Sequence, residues 1–455
     1  MNIISLSESD CFVLLGKEKE RTATTLLAVF IASLLSVSYG FVLHFPHPLT
    51  LGNEKWYTAG HISLVIGASI GSVFAGIFID KLGRRSTILM TSIIYLLGYV
   101  LLIFGCPEIQ NNENFPIFFT VFGCIYCGIG VGMTSLVVPV YIAEVSSARL
   151  RGVMGAITNH AIVFGIFLYS LTAEISNWNV KYYYSVLLGL VITLLSLLMI
   201  FMPETPRWLL ANDQRDKALK NQLWLLGVKS DAEDTCNYIE TNLAHEQIAS
   251  VNDFCSPVLF RPLIIGSLLF LIHQLTLIGY IIYLSHFLKR FKHLYITLTC
   301  FLLQLIFSLA GCFIVKRFFR RYILLFGSTT LLLCSIGFAI SSDLNKKLSE
   351  LRVAYLIIYA IIFITTWGSL PWIIVSEIFP PRARGLLGGI VRSFIWLFYI
   401  PTEMIFLKLV SINGSLWFTA CISLLSILFI YYIVPETKKL TLEEIDQHYL
   451  IYRRF

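Results

Sequence analysis

Glu144-Val-Ser-Ser-Ala-Arg-Leu-Arg151-Gly152 is answered, 377 − 144 = 233 positions downstream, by Glu377-Ile-Phe-Pro-Pro-Arg-Ala-Arg384-Gly385. The glutamate-to-arginine spacing is the same in both copies, and each follows an apolar stretch that contains a proline, Pro139 or Pro371. Two weaker echoes keep nearly that offset. Pro203-Glu204-Thr205-Pro206-Arg207 returns as Pro435-Glu436-Thr437-Lys438. Asp80-Lys-Leu-Gly83-Arg84-Arg85 returns, without its acid and its glycine, as Lys316-Arg-Phe-Phe-Arg320-Arg321. Three elements in one order at one offset mark an internal duplication, and a hydrophobic chain built of two similar halves reads as a transporter.

The 455 residues are 57% hydrophobic and 13% charged, against roughly 45–50% and about 25% in soluble domains. The net charge of +7 does not point to nucleic acid, because the Lys and Arg sit in short clusters between apolar segments, as in loops that set membrane topology. Of the ten cysteines, Cys124, Cys127, Cys300, Cys312, Cys334 and Cys421 fall inside apolar segments. The CxxC pair Cys124–Cys127 has no second pair or nearby His to complete a zinc site, so these read as small membrane residues. Met1–Glu20 is polar and acidic, unlike a signal peptide.

Apolar runs able to cross about 30 Å of hydrocarbon lie near 23–43, 60–79, 86–105, 116–140, 153–173 and 184–202, and again near 262–284, 294–315, 322–341, 353–375, 386–410 and 415–434. Six plus six predicts an all-α membrane protein of twelve transmembrane helices in two pseudo-symmetric halves. Its parts are an N-terminal segment 1–22, a bundle 23–203, a helical linker 204–261, a second bundle 262–434 and a tail 435–455. Within the linker, Asp213–Leu226 and Ala232–Ile248 carry helical apolar spacing, predicting short amphipathic helices. Basic clusters follow every even-numbered span, among them Arg84 and Arg85, Arg149 and Arg151, Arg320 and Arg321, Arg382 and Arg384. Those loops and both termini are therefore expected in the cytoplasm; Lys289, Arg290 and Lys292 on the opposite side are outvoted. The sequon Asn413-Gly-Ser415 lies in a loop too tight to favour glycosylation.

Asp80…Arg85, Glu144…Gly152, Pro203…Arg207, Trp367-Gly-Ser-Leu-Pro-Trp372, Ser376-Glu377-Ile-Phe-Pro380 and Pro435-Glu-Thr-Lys438 together resemble the sugar-porter branch of the major facilitator superfamily. The resemblance covers roughly residues 23–445 and is nearest the animal facilitative glucose transporters and insect trehalose transporters. It implies alternating access, with Asp80, Arg84, Arg85, Glu144, Arg151, Glu204, Arg207, Glu377 and Arg384 pairing across the halves at the cytoplasmic rim as an inner latch. Exposed ion pairs contribute only about 0–1 kcal/mol each, so a network is required, and a weak latch suits two nearly isoenergetic states.

A sugar offers hydroxyls and an apolar C–H face, so its site wants amides and an aromatic platform. Gln274 on the seventh span, Gln304 on the eighth, Asn159 on the fifth and Trp372 on the tenth match the family's sugar-contact positions, with His273 beside Gln274. Interhelical hydrogen bonding is the competing use of such amides. The chain departs from the family at His273, Asn159, Gly279, Ile395 and Tyr399, where glutamines or asparagines are usual, which leaves a more apolar cavity. Proton-driven members carry an Asp on the first span where this chain has Gly40. Buried carboxylates are the usual proton relay, so facilitated diffusion is expected, while His160 and His273 keep proton symport open. Glu403 and Lys408 read as pairing or snorkelling groups, and Arg392, near the cytoplasmic end of the eleventh span, as structural.

Asp10, Leu14 and Leu15 form an acidic dileucine pattern of endosomal sorting; otherwise the plasma membrane is expected. The whole predicts a monomeric facilitative sugar transporter whose partners are its solute and the bilayer, with no nucleic acid, cofactor or metal. A proton symporter, a carrier of a non-sugar solute and a non-transporting sugar sensor stand as alternatives; the short tail after Val434 disfavours the sensor. No phosphate-cradling glycine loop, metal cluster or nucleophile triad suggests an enzyme.

Overall fold

Backbone amides and carbonyls inside hydrocarbon must find partners within the segment, so an apolar chain of this kind crosses lipid as helices. The structure, a computed structural model, describes residues 22–44, 54–105, 114–147, 149–172, 178–245, 257–290, 294–344, 349–379, 383–409 and 412–438. Among the described residues there is no strand, and nine segments are long and apolar enough to cross a membrane. The first six spans are Thr22–His44, Glu54–Lys81, Arg84–Phe104, Asn114–Val145, Arg151–Leu171 and Trp178–Ser196, the last ending in a 3-10 turn, Leu197–Phe201. The second six are Pro257–Arg290, Leu294–Arg317, Arg320–Leu344, a broken tenth span of Ser349–Thr365 and Leu370–Ile378, Arg384–Leu409 and Ile412–Tyr432. This is the twelve-helix major facilitator fold. Asp10, Leu14, Leu15 and the tail beyond Lys438 lie outside the described residues.

Two boundaries differ from the sequence reading. The seventh span starts at Pro257, inside the stretch read as linker, and carries Pro262 within it; proline suits a first helical turn, where its missing N–H has no partner to lose. The two duplicated prolines also act differently. Pro139 sits inside the continuous helix Asn114–Val145, whereas Pro371 stands at the start of a new helix, Leu370–Ile378. Between the two pieces of the tenth span the Gly368 amide donates back to the Phe363 carbonyl at 2.7 Å. Glycine and proline three residues apart weaken the helix at one place; Pro139 has no such neighbour, its nearest upstream glycine being Gly132.

Helices in lipid associate through close packing rather than through the hydrophobic effect. Gly67 and Gly71 on the second span face Gly128 and Gly132 on the fourth, and a Cβ at any of them would overlap backbone of the opposite helix. The halves meet along two seams, second span with eleventh and fifth with eighth, which the duplication exchanges. Buried hydroxyls mostly return to their own helix, as Ser72 Oγ does to the Ala68 carbonyl at 2.8 Å and Thr87 Oγ1 to Gly83 at 2.6 Å. Large apolar side chains such as Phe30, Phe313 and Leu333 stay exposed on the outer surface, where lipid would cover them.

Three short linker helices, Pro206–Ala211, Arg215–Leu226 and Lys229–His245, enclose a small core of Leu209, Leu210, Ala218, Cys236 and Ile239. They dock on the first half. Trp208 Nε1 donates to the Asp80 carbonyl at 2.9 Å, Asn221 Nδ2 to the Glu204 carbonyl at 2.9 Å, and Thr24 Oγ1 to the Leu225 carbonyl at 3.1 Å.

Forcing a branched side chain into the contact between the second and fourth spans should be severe. Gly132→Leu is expected to cost about 3 kcal/mol or more, read as a lower melting temperature and loss of the monodisperse peak in fluorescence-detected gel filtration. Leu97→Ala, on the exposed face of the third span, should behave as wild type in the same assay.

Candidate functional site

The basic rim is organised around Glu144, at the end of the fourth span. Its carboxylate accepts Arg84 Nη2 from its own half at 2.9 Å and Arg384 Nη1 from the other half at 3.4 Å. The side chains of Glu144 and Arg384 are each 1% exposed. Arg84 Nη1 also donates to the Ile79 carbonyl at 3.1 Å and lies 3.9 Å from Asp80 Oδ1, and Arg384 Nη2 donates to the Phe379 carbonyl at 3.2 Å. The duplicate copy is built the same way, with Glu377 paired to Arg320 in its own half. Arg151, the counterpart of Arg384, is buried and donates through Nε to the Ala143 carbonyl at 3.1 Å.

These contacts correct the expectation of exposed pairs spanning the halves. The pairs at the centre are buried, so stranding one member costs about 3–5 kcal/mol. Arg84–Glu144 and Arg320–Glu377 lie within one half, and Arg384–Glu144 crosses between the halves. Asp80 reaches across by another route: its Oδ2 lies against Gly385 at the N-terminus of the eleventh span, where a Cβ would collide with it, and a helix N-terminus favours an anion. Gly76 permits that approach by packing on the Gly385 carbonyl.

Glu204 does not join the latch. It caps the third span, accepting the Arg84 amide at 3.0 Å and the Arg85 amide at 3.0 and 3.1 Å. Burial raises its carboxyl above the ordinary value, while the surrounding amides pull it down. Gly83 makes the cap possible: its φ is +92°, a conformation that disfavours any side chain, and a Cβ would meet Glu204 Oε2 at 2.5 Å. Glu436 repeats the arrangement on the ninth span, accepting the amides of Arg320 at 3.3 Å and Arg321 at 3.0 Å. The arginine side chains match too, Arg85 donating to the Ile200 carbonyl and Arg321 to that of Tyr431. The Pro-Glu-Thr echo is thus a pair of helix caps, and Arg207 stands in the short helix that follows the first.

Above the gate, between the halves, lies the cleft that the amides were expected to line. Gln274 is buried and its Nε2 has no hydrogen-bond partner among the described residues. Asn159 Nδ2 bridges the halves to the Ile364 carbonyl at 3.4 Å, and Gln304 is buried on the eighth span. His160 Nδ1 meets Ser308 Oγ across the same seam at 2.8 Å. His273 packs among rings, with centroids 6.2 Å from Phe270, 5.6 Å from Phe363 and 6.1 Å from Trp372. Trp372 is half-buried, stands edge-on to Phe270 at 4.8 Å, and lines a cavity with Pro139, Ala143, Arg151, Gly155 and Ser376 that reaches the gate. Tyr39 and Trp396, 6.3 Å apart, and Tyr399 form a second aromatic group.

Two residues stand differently from the sequence reading. Arg392 is not an anchor at the end of the eleventh span. It lies eight residues beyond Arg384, about 12 Å along the helix, fully buried, with its guanidinium 5.5 Å from the Phe270 ring centre and 5.6 Å from that of Trp372. An arginine inside an apolar span is a functional signal in itself, and its nearness in sequence to the rim cluster hid it. Gly40 is filled by backbone: a Cβ there would overlap the Ile162 carbonyl of the fifth span. The first span therefore has no room for a side chain at that position.

Two six-helix halves, joined by a buried ion pair at one rim and carrying buried amides, aromatics and a cation in their spans, define a membrane transporter of the major facilitator architecture. The chain belongs to the family described as Sugar (and other) transporter, which it matches over residues 15–449. It is 27% identical to the mouse protein named solute carrier family 2, facilitated glucose transporter member 8, over 93% of this chain and 94% of that one. To the facilitated trehalose transporter Tret1 of Bombyx mori it is 28% identical, over 93% of this chain and 86% of that one. The E. coli proton:xylose symporter XylE, solved with 6-bromo-6-deoxy-D-glucose, superposes with a TM-score of 0.81 at 21% identity, covering 94% of this chain and 99% of that one.

The gate geometry separates two substitutions. Arg384→Gln leaves Glu144 with Arg84 and should ease opening of the basic rim by about 1.5–3 kcal/mol, whereas Glu144→Gln strands two buried guanidiniums and should cost the closed rim about 3–5 kcal/mol. Labelling of Ser376→Cys by an impermeant thiol reagent from the basic-loop face should rise in both, more in the second. Lys229→Gln in the exposed linker should leave labelling unchanged.

Proposed function

We propose that this protein is a facilitative transporter that carries a sugar of the hexose or trehalose class by alternating access. The observation that carries this reading is the buried Arg384–Glu144 pair holding the halves together beneath a buried Gln274 whose Nε2 has no hydrogen-bond partner among the described residues. The pair makes one side a gate that can part, and the free amide is a donor waiting for a hydroxyl oxygen. The names of the mouse and silkworm relatives support the same class of solute. The basic rim is assigned to the cytoplasm by the positive-inside rule, with both termini on that side, in the plasma membrane, and the monomer is the working unit. Transport by this route needs no cofactor and makes or breaks no covalent bond.

Uniport is favoured over symport by the packing at Gly40, where backbone replaces the acidic side chain. A proton-coupled cycle is the second reading. It draws on the His160–Ser308 contact across the seam and on the likeness to XylE, a proton:xylose symporter.

Uptake in a host lacking its own carriers should be saturable and insensitive both to a protonophore and to external pH. Strict dependence on an inward proton gradient would overturn uniport. Gln274→Ala should raise the half-saturation concentration roughly 3- to 10-fold through one lost hydrogen bond. Wild-type kinetics in both Gln274→Ala and Trp372→Ala would show that the cleft described above is not the binding site.

A further inference from the structure

We propose that Arg392 is the anchor for a negatively charged group on the solute, and that the transported species is an acidic sugar such as a hexuronate. The proposal rests on the sugar-transport reading given above and narrows its substrate class.

Arg392 is 1% exposed. Among the described residues Nη1 donates to the Gly388 carbonyl of its own helix at 3.3 Å, and Nε and Nη2 have no partner. No carboxylate among the described residues pairs with it. The other arginines of the gate are served differently: Arg84 and Arg384 share Glu144, and Arg320 takes Glu377. A guanidinium taken out of water with donors unmet is costly unless something supplies the missing anion.

The surroundings hold that cation in place without neutralising it. Phe270 from the seventh span and Trp372 from the tenth bring their rings to 5.5 and 5.6 Å of the guanidinium carbon, an arrangement that stabilises a cation while leaving its N–H edges free. Tyr39 of the first span lies within electrostatic reach of it. Arg392 thus holds a buried donor fork beside Trp372, which also lines the cavity above the gate. A carboxylate offers two acceptor oxygens at the spacing of that fork. A neutral hexose offers only hydroxyls, which leave the charge uncompensated. The free amide of Gln274 then serves the hydroxyl rim of the same molecule.

The test is uptake of labelled D-glucuronate, D-glucose and L-lactate by the purified full chain in proteoliposomes, for wild type, Arg392→Gln and Arg392→Lys. Wild type should take up glucuronate at a lower half-saturation concentration than glucose. An inside-positive potential should speed glucuronate uptake alone, because uniport of a monoanion moves charge. Arg392→Gln should raise the glucuronate value roughly 30-fold or more, as expected for loss of one member of a buried charge pair, and change the glucose value less than about threefold. Arg392→Lys should fall between. Glucose preferred by wild type, or both sugars weakened equally by Arg392→Gln, would overturn this inference and leave the sugar transporter standing. Lactate carried in place of either sugar would overturn the sugar reading, and the acidic-sugar form of this inference with it. If Arg392→Gln yields no monodisperse protein, competition in wild type decides: glucuronate must displace label better than its uncharged methyl ester, and equal displacement overturns the proposal.

Discussion

A carboxylate removed from water keeps its charge only where cations and donors replace its hydration, and Glu144 is held that way from two directions. Arg84 approaches from the same half and Arg384 from the other. When the halves part, Glu144 loses the longer contact and keeps the shorter, so opening the rim does not leave a bare buried acid. Glu377 has its resident partner in Arg320. Each gate glutamate is therefore solvated by its own half, and the crossing contact sets how tightly the rim closes. That division lets a buried ion network, ordinarily a rigid feature, sit at a moving boundary.

The duplication is faithful in its caps and unequal in its seams. Glu204 and Glu436 close the third and ninth spans through the same backbone amides. The seam between second and eleventh spans places Asp80 against a helix N-terminus, where the macrodipole favours it. The corresponding seam has Lys316 in place of that acid and brings Arg320 within 3.5 Å of where a Cβ on Gly152 would stand, at the start of the fifth span. A cation is disfavoured there. The two seams consequently bind with different strength even though the same helices, by descent, form both.

Much of this was legible in the chain. The paired Glu…Arg-Gly stretches and the six-plus-six apolar runs have local causes, and the two halves and their twelve spans follow from them. Pairing was less legible, because it is set by three-dimensional neighbours. Glu204 has the composition of a latch residue and the geometry of a cap, and burial gives Glu144 and Arg384 a weight that surface ion pairs lack. Arg392 was misplaced for a related reason: its distance from the rim is two helical turns, and only the positions of Phe270 and Trp372, 122 and 20 residues away in sequence, show that it occupies the cleft. The two prolines, by contrast, differ for a local reason that their shared motif hides: Gly368 stands three residues before Pro371, which opens a break, whereas Pro139 lies within a continuous helix.

The packing at Gly40 makes the contact between the first and fifth spans intolerant of any side chain. A Cβ there would be driven into the Ile162 carbonyl, and Gly165 packs on the first span by the same backbone contact at Val37. Each glycine thus keeps the seat of the other: a side chain at either position would prise the two spans apart along their length.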